Sequence, residues 1–394
     1  MFSLLLPALL GFAGLGTEAG LWYLTHQKLQ NAADAGAMNA ATANSSGGSP
    51  TTEAYAVAAD LNLVHGSGGT SVVVNMPPAS GSHMATAGAV EVVVTQTRAR
   101  LFTALWSSDA VTISARAVAI STPSKGCVLA LDGTASAAVS VQGSTTIALS
   151  GCDLIANSNH ATALDMGGSS LLSARMVAVV GGVSGASSIT TTNGLKTHAP
   201  PAADPYASAD FPSFGACNHK NFTSKTTETI NPGVYCGGIQ LNSGAVVTMN
   251  PGIYYLDGGD LKVNGGSSLK GSGVTIVFTS STGSNHATAA INGGASIHLT
   301  APAAGPTAGI VFFGDRTMPT NTAFNINGGS DQVFGGAVYL PKASLNYSGG
   351  AAATTQCTQI IANRVNFSGG ASLAVNCAGY GTEDIGTGTA SLVE

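Results

Sequence analysis

The side chains that could carry chemistry are few and scattered. Between positions 126 and 378 the acids are Asp132, Asp153, Asp165, Asp204, Asp210, Glu228, Asp257, Asp260, Asp315 and Asp331. Only Asp257 and Asp260 stand close together, inside the turn-like run LDGGDL. Acid–base work on a glycoside, or calcium binding, needs clustered carboxylates. An aspartate in a turn more commonly bonds its own backbone. The calcium repeat GGxGxDxUx is missing, and no G-x-S-x-G, P-loop or dinucleotide fingerprint stands in a suitable context. No catalytic residue, no cofactor and no enzymatic activity is expected.

His160 and His286 sit in matching hexapeptides, SNHATA at 158–163 and at 284–289. Equivalent places in an internal duplication lie several repeats apart, too far to share a metal, so a structural role in a loop is expected. The six cysteines, Cys127, Cys152, Cys217, Cys236, Cys357 and Cys377, form no CxxC, and the nearest histidine to any of them is His219. No metal site is expected. An even cysteine count beyond an export-type N-terminus points to disulfides in an oxidising compartment. Sequence neighbours about 20 residues apart, one repeat or one loop, give the pairs Cys127–Cys152, Cys217–Cys236 and Cys357–Cys377.

One further carboxylate, Glu18, lies inside the apolar run from Met1 to Leu24. About 24 residues of helix span roughly 36 Å, enough to cross a bilayer core. The following stretch to Ala43 mixes strong helix formers with polar residues, so the helix should continue into water. A buried carboxylate in such a helix calls for a partner or for the headgroup region. Gly16 and Gly20 flank Glu18 as a small-xxx-small pair that would admit a second helix, and Trp22 with Tyr23 would mark the interface. The run lacks a basic n-region and a convincing cleavage site, which favours an anchor over a signal peptide.

Composition sets the class of everything that follows. Only 8% of residues are charged, against about 25% in ordinary soluble domains, while glycine numbers 52. A net charge of −5 offers no basic field, so nucleic acid is not an expected partner. Asn44 to Pro50 breaks the first helix, and a second helix is expected from Thr51 to Val64. Strands are expected at Ser71–Met76, Ala89–Thr97 and Ala110–Ile120, with a short amphipathic helix from Arg98 to Trp106.

From Gly126 to Cys377 short apolar runs alternate with Gly, Asn and Ser. A cassette recurs as VNGGSSL, INGGASI, INGGSD, YSGGAA and FSGGASL, with DMGGSSL as a variant, and its second glycine falls at 168, 266, 294, 329, 350 and 370. Repeats of about 20 residues with variable loops are the mark of a solenoid. Asn264, Asn292 and Asn327 precede the glycine pairs and should stack as an amide ladder. Lys196 to Ser213 is a Pro-rich surface connection that cannot be a strand of the repeat. Gly379 to Glu394 reads as a polar, frayed tail.

Leu6-Pro7, Leu10-Gly11, Gly14-Leu15-Gly16, Glu18, Gly20, Trp22-Tyr23, Leu29-Gln30 and Ala32-Ala33-Asp34-Ala35 fall as in TadG-like proteins. Over about 40 residues the chain therefore resembles the N-terminal module of Tad (Flp-type, tight adherence) pilus assembly proteins. The resemblance implies a bacterial cell-envelope protein that takes part in pilus assembly and adherence. It would have a single-pass inner-membrane anchor and a periplasmic or extracellular body, or else be built into the pilus. Implied partners are membrane lipid, other pilus-assembly membrane proteins, and a surface or host ligand. Pro7, Gly16, Glu18 and Gly20 are the candidate membrane and assembly residues.

The expected fold is mainly β. A transmembrane, pilin-like helix (1–44) leads into a small α+β module (45–122), followed by a disulfide-bonded parallel β-helix (123–378) and a tail (379–394). Because parallel β-helices include pectate lyases and polygalacturonases, a membrane-tethered carbohydrate-active enzyme is the alternative function. A free-standing adhesin is a third.

Overall fold

The computed structural model describes residues 2–45, 48–122, 125–327, 332–348, 357–374, 377, 379–386 and 389–394. Asp331 and the cassette glycines Gly329 and Gly350 lie outside the described residues. The chain divides into two compact units, Met1–Pro123 with Thr387–Glu394, and Ser124–Gly386.

In the first unit, α1 (Phe2–Ser45) is one continuous helix, as its unbroken run of helix formers requires, and α2 (Pro50–Asp60) follows. Ser49 caps α2 by accepting from the Thr52 N–H, and Pro50 opens it, where a missing N–H costs nothing. The strands β1 (Thr70–Asn75), β2 (Ala89–Arg98) and β3 (Val111–Thr122) form an antiparallel sheet. One face of α1 is alanine and leucine at helical spacing. Leu29, Ala32, Ala33, Ala37, Ala40 and Ala41 are all buried, packed with Val90, Val92, Val94 and Ala117 of the sheet. Small side chains allow the helix to lie close on the strands: a Cβ on Gly36 would stand 3.4 Å from Val92 Cγ1.

Three expectations for this unit are corrected. The tail is not frayed throughout, because Thr389–Leu392 pairs antiparallel with β3 and completes the sheet. In place of the amphipathic helix expected over Arg98–Trp106, Arg98 ends β2 and only Thr103–Leu105 is helical, as a 3-10 turn. Among the described residues no helix is long and apolar enough to cross a membrane, so the span expected over 1–24 is not found there. Side chains of residues 2–10 lie outside the description, and from Gly11 onward four glycines, Thr17 and Glu18 dilute the apolar run.

The second unit is β-rich, and its strand pairings are parallel. They fall into three sets, the first interrupted by register shifts between Ile310 and Phe312 and between Gly126 and Val128. In the first, Tyr235 faces Leu256, Leu256 faces Phe278, Phe313 faces Tyr339 and Tyr339 faces Ile361. The second carries Ile239, Leu261 and Ala289 in one run, and Ile326, Tyr347 and Phe367 in another. The third carries Val247, Leu269 and Ile297. Every side chain named from the second and third sets is buried, because alternate residues of each strand point into a common core.

The order of pairing is not the order of sequence. Thr358–Ser368, late in the chain, pairs in parallel with Gly126–Ala130, the body's first strand. From there the pairing runs through Asp153–Ala156 and Met176–Val179 to Leu195–Thr197, which ends that set. The chain then resumes at His219–Ser224, the opposite end, and pairs its way back. A segment must therefore travel the length of the first set, and the Pro-rich stretch does so. It is less exposed than expected: Tyr206 is buried at 2% exposure and Ala202 is also buried. Contacts follow in order along it. Ala202 exchanges two 2.8 Å hydrogen bonds with Asn157, Asp204 accepts from Tyr339 Oη at 2.8 Å, Phe211 packs edge-on to Phe313, and Phe214 stacks on Tyr255. The outward-facing apolar residues of the first set, among them Val277, Phe313, Tyr339 and Ile361, thus gain a cover and form a second core.

Of the cassette glycines, Gly168, Gly266 and Gly294 adopt positive φ at chain corners, whereas at Phe367–Gly370 it is the first glycine, Gly369, that does so. Gly168 has a further reason to lack a side chain, since a Cβ there would stand 2.7 Å from the Gly143 carbonyl oxygen. The amide ladder is present in altered membership. Asn292 donates to Asn264 at 2.9 Å and Asn264 to Asn242 at 3.3 Å, while Asn366, Asn346 and Asn325 form a second run. Asn327 accepts from Ser348.

Candidate functional site

The N-terminal helix was expected to supply the assembly residues, and the structure distributes their work differently. Glu18 is buried, at 1% exposure, by its own chain and not by a partner helix. Its carboxylate accepts from the Leu101 N–H at 2.8 Å, the Thr103 N–H at 2.7 Å and Thr103 Oγ1 at 3.0 Å. These two N–H groups open the 3-10 turn, so Glu18 acts as its cap from a distant part of the sequence. Beside this contact is a cleft of about 230 Å³ lined by Leu21, Trp22, Thr25, Arg98 and Leu101 with Glu18 itself.

The glycines divide by function. Gly16 and Gly20 face open space: a Cβ on either would meet nothing within 4 Å. Gly14, absent from the expected assembly residues, is the one in use: a Cβ there would stand 2.7 Å from Phe102 Cδ1. Pro7 lies within α1, and its side chain is outside the description. Further along the helix, Gln30 Nε2 donates to Asp34 Oδ1 at 2.7 Å and to the Arg116 carbonyl at 3.1 Å, tying α1 to β3.

A charged cluster closes the other side of the sheet. Glu91, the one acid in an apolar strand, is buried and accepts from Asn75 Nδ2 at 2.6 Å, the Ala79 N–H at 3.0 Å and Ser80 Oγ at 3.1 Å. Arg116 bonds both Glu91 and Glu394. Burial works against the Glu91 charge, yet these hydrogen bonds hold its carboxyl below the ordinary value. Bonds from Ser82 and Arg116 bring Glu394 down to about 2. Sequence reasoning missed this cluster, although its cue was visible: Glu91 and Arg116 are isolated charges of opposite sign in two otherwise apolar strands.

In the second unit the candidate chemical groups are occupied in holding strands together. Asp257 accepts from the Ser281 N–H at 2.7 Å and Ser281 Oγ at 2.8 Å, and Asp260 accepts from the Thr288 N–H and Oγ1. Both were expected to bond their own turn, and both reach the next strand layer instead. Asp153 pairs with Arg175 through both carboxylate oxygens. Asp315 is buried and accepts from Thr279 Oγ1 at 2.5 Å and from Thr317. His160 bonds Thr162, and His286 bonds Thr317. The strands that precede the two histidines are five parallel pairings apart in the first set, roughly 24 Å at the usual strand spacing.

Cys127–Cys152, Cys217–Cys236 and Cys357–Cys377 are the three disulfides, with Cα–Cα distances of 5.7, 5.7 and 4.5 Å. Among the described residues, the grouping with metal-ligand spacing is Cys217, Cys236 and Asp257. Its two sulfurs are bonded to each other, so they are not available as thiolates.

Residues 1–43 match the family model described as putative Flp pilus-assembly TadE/G-like. The resemblance read from LQNAADA and the preceding run therefore stands, and this N-terminal segment is TadE/G-like. No curated protein and no solved structure matches the chain.

Proposed function

We propose that the chain takes part in Flp-type pilus assembly at the cell envelope as a non-catalytic component, with residues 1–43 as its assembly element. The family match over those residues carries this reading. The later part of that segment, from Leu29 to Ala41, packs against the sheet of the first unit, which leaves its earlier part for contacts outside the fold. The second unit reads best as a parallel β-helix that presents a stable outer surface for adherence. Three parallel sets and the two asparagine runs support that reading. The non-catalytic reading is supported by the engagement of Asp257 and Asp260 in bonds between strands.

The test is removal of the gene from its host, followed by assay of assembled pili and of adherence. Loss of both, restored by the full chain, is the expected result; unchanged pili would refute the proposal. Polyuronate cleavage that vanishes in the Asp257→Asn, Asp260→Asn variant would favour the carbohydrate-active alternative.

A further inference from the structure

The loop that Glu18 clasps carries an exposed apolar surface. Leu105 is 84% exposed and Trp106 73%, and Leu101 and Phe102 beside them are also exposed. Exposed leucines and aromatics occur singly on most proteins, but a contiguous set on one tight turn is uncommon. The turn is not free to fold these side chains away. Glu18 takes both of its leading N–H groups, and Gly14 leaves room for the Phe102 ring against the helix. On the side of α1 that meets the turn, Leu21 is likewise exposed beside Leu101.

We propose that the 101–106 turn, together with the neighbouring face of α1, is a bilayer-interface surface whose occupant is lipid with anionic headgroups. Three observations select lipid. In sequence, the same helix begins with the apolar run LLLPALL. Tryptophan and large apolar side chains such as Trp106, Leu105 and Phe102 are the residues that settle at the headgroup boundary. The adjoining cations keep their charge available: Arg98 bonds the Gln96 amide oxygen, and Arg100 bonds the Asp109 carbonyl and Thr103 Oγ1. Those are the charges that anionic headgroups would meet. Glu18, which would repel such lipid, is turned inward and satisfied. This surface lies outside the 1–43 family segment at its 101–106 part, and its assignment does not depend on the pilus reading.

The chain has two tryptophans, Trp22 and Trp106, so Trp22→Phe leaves Trp106 as a single reporter. The full-length variant is reconstituted with vesicles of phosphatidylcholine and phosphatidylglycerol and separated by flotation. The expected result is a blue shift of Trp106 emission and strong quenching by lipids brominated near the headgroup, weaker with deep bromines. Adding Glu18→Ala should keep the chain on vesicles and abolish the depth preference, because the turn is no longer held. Three outcomes overturn the proposal: failure to float, flotation with Trp106 unquenched by any brominated lipid, or Trp106 already shielded from iodide before vesicles are added. The last would indicate that a second copy covers the patch.

Discussion

Arg364 Nε donates to Asp132 Oδ2 at 2.8 Å, joining residues from the two ends of the body's sequence. The pair lies where Thr358–Ser368 meets Gly126–Ala130, the seam at which the late strands pair with the first. Asp132 also accepts from the Thr134 and Ala135 N–H groups. Burial opposes its charge, but those bonds and Arg364 together hold the Asp132 carboxyl below its ordinary value.

Arg364→Met should therefore weaken the seam modestly. A hydrogen bond to a charged group contributes about 1.5–3 kcal/mol, but Arg364 is about a third exposed, and screening reduces this to about 1 kcal/mol. Asp132→Ala also removes the bonds from Thr134, Ala135 and Asn363 and should cost more. Denaturant midpoints followed by circular dichroism would check the order, and equal effects would show that Arg364 alone matters.

Tyr206 anchors the crossing segment, and its loss should be the most damaging single change in the body. It packs on Tyr339 with ring centroids 5.4 Å apart, and its hydroxyl accepts from the Glu383 N–H at 3.0 Å. Large aromatic truncations in a core cost about 3–5 kcal/mol. Tyr206→Ala should fall in that range and raise protease sensitivity between 199 and 214. Tyr206→Phe, which keeps the packing, should cost about 1 kcal/mol.

What the sequence disclosed and what it concealed divide along a physical line. α1, α2 and β1–β3 follow from local periodicity, and the cysteine pairs from spacing, because adjacent layers bring near neighbours in sequence together. The seam was not legible: nothing local to Val128 says that Ile360 will lie beside it. The tail strand hid for the same reason, since its partner β3 is far away in sequence. The 98–106 stretch misled in another way. Leu101, Phe102, Leu105 and Trp106 have helical spacing, but the chain is helical only over Thr103–Leu105, as a 3-10 turn tied back to Glu18, a contact no local pattern announces. The sequence singled out Glu18 but not its partners at 101–103, and it passed over Gly14, because only the position of Phe102 distinguishes Gly14 from Gly16.

Acid should weaken the first unit, and Glu394 should contribute to that loss. Its carboxyl titrates near 4.5 when free and at about 2 in the fold. A lowered folded value means that the contribution is complete above about 4.5 and is lost as pH falls toward 2. Glu91, also lowered, adds to the loss in the same direction. Both tryptophans belong to this unit, so tryptophan emission, excited apart from the tyrosines, reports it alone. Glu394→Gln should flatten the stability profile in that window and leave the slope above pH 5 unchanged. An unaltered acid limb would show that Glu394 is a bystander.

The glycines of α1 separate a fold requirement from a docking surface. An exposed helical glycine is about 1 kcal/mol less favourable than alanine. Gly16 and Gly20 meet nothing within the chain, so Gly16→Ala and Gly20→Ala should each raise the thermal midpoint of the first unit. Gly14→Ala gains the same propensity but drives a methyl into the Phe102 ring, which must move with the turn that carries it. Its midpoint should stay level or fall, and Trp106 emission should shift, as it does not in the other two. The docking question is then read by co-purification of pilus components. If Gly16→Ala and Gly20→Ala are stabilised yet lose those components, the open glycine face receives another helix, which small residues would permit. If they are stabilised and co-purify as before, that face is solvent- or lipid-exposed, and assembly specificity resides in the aromatic turn or farther along the helix.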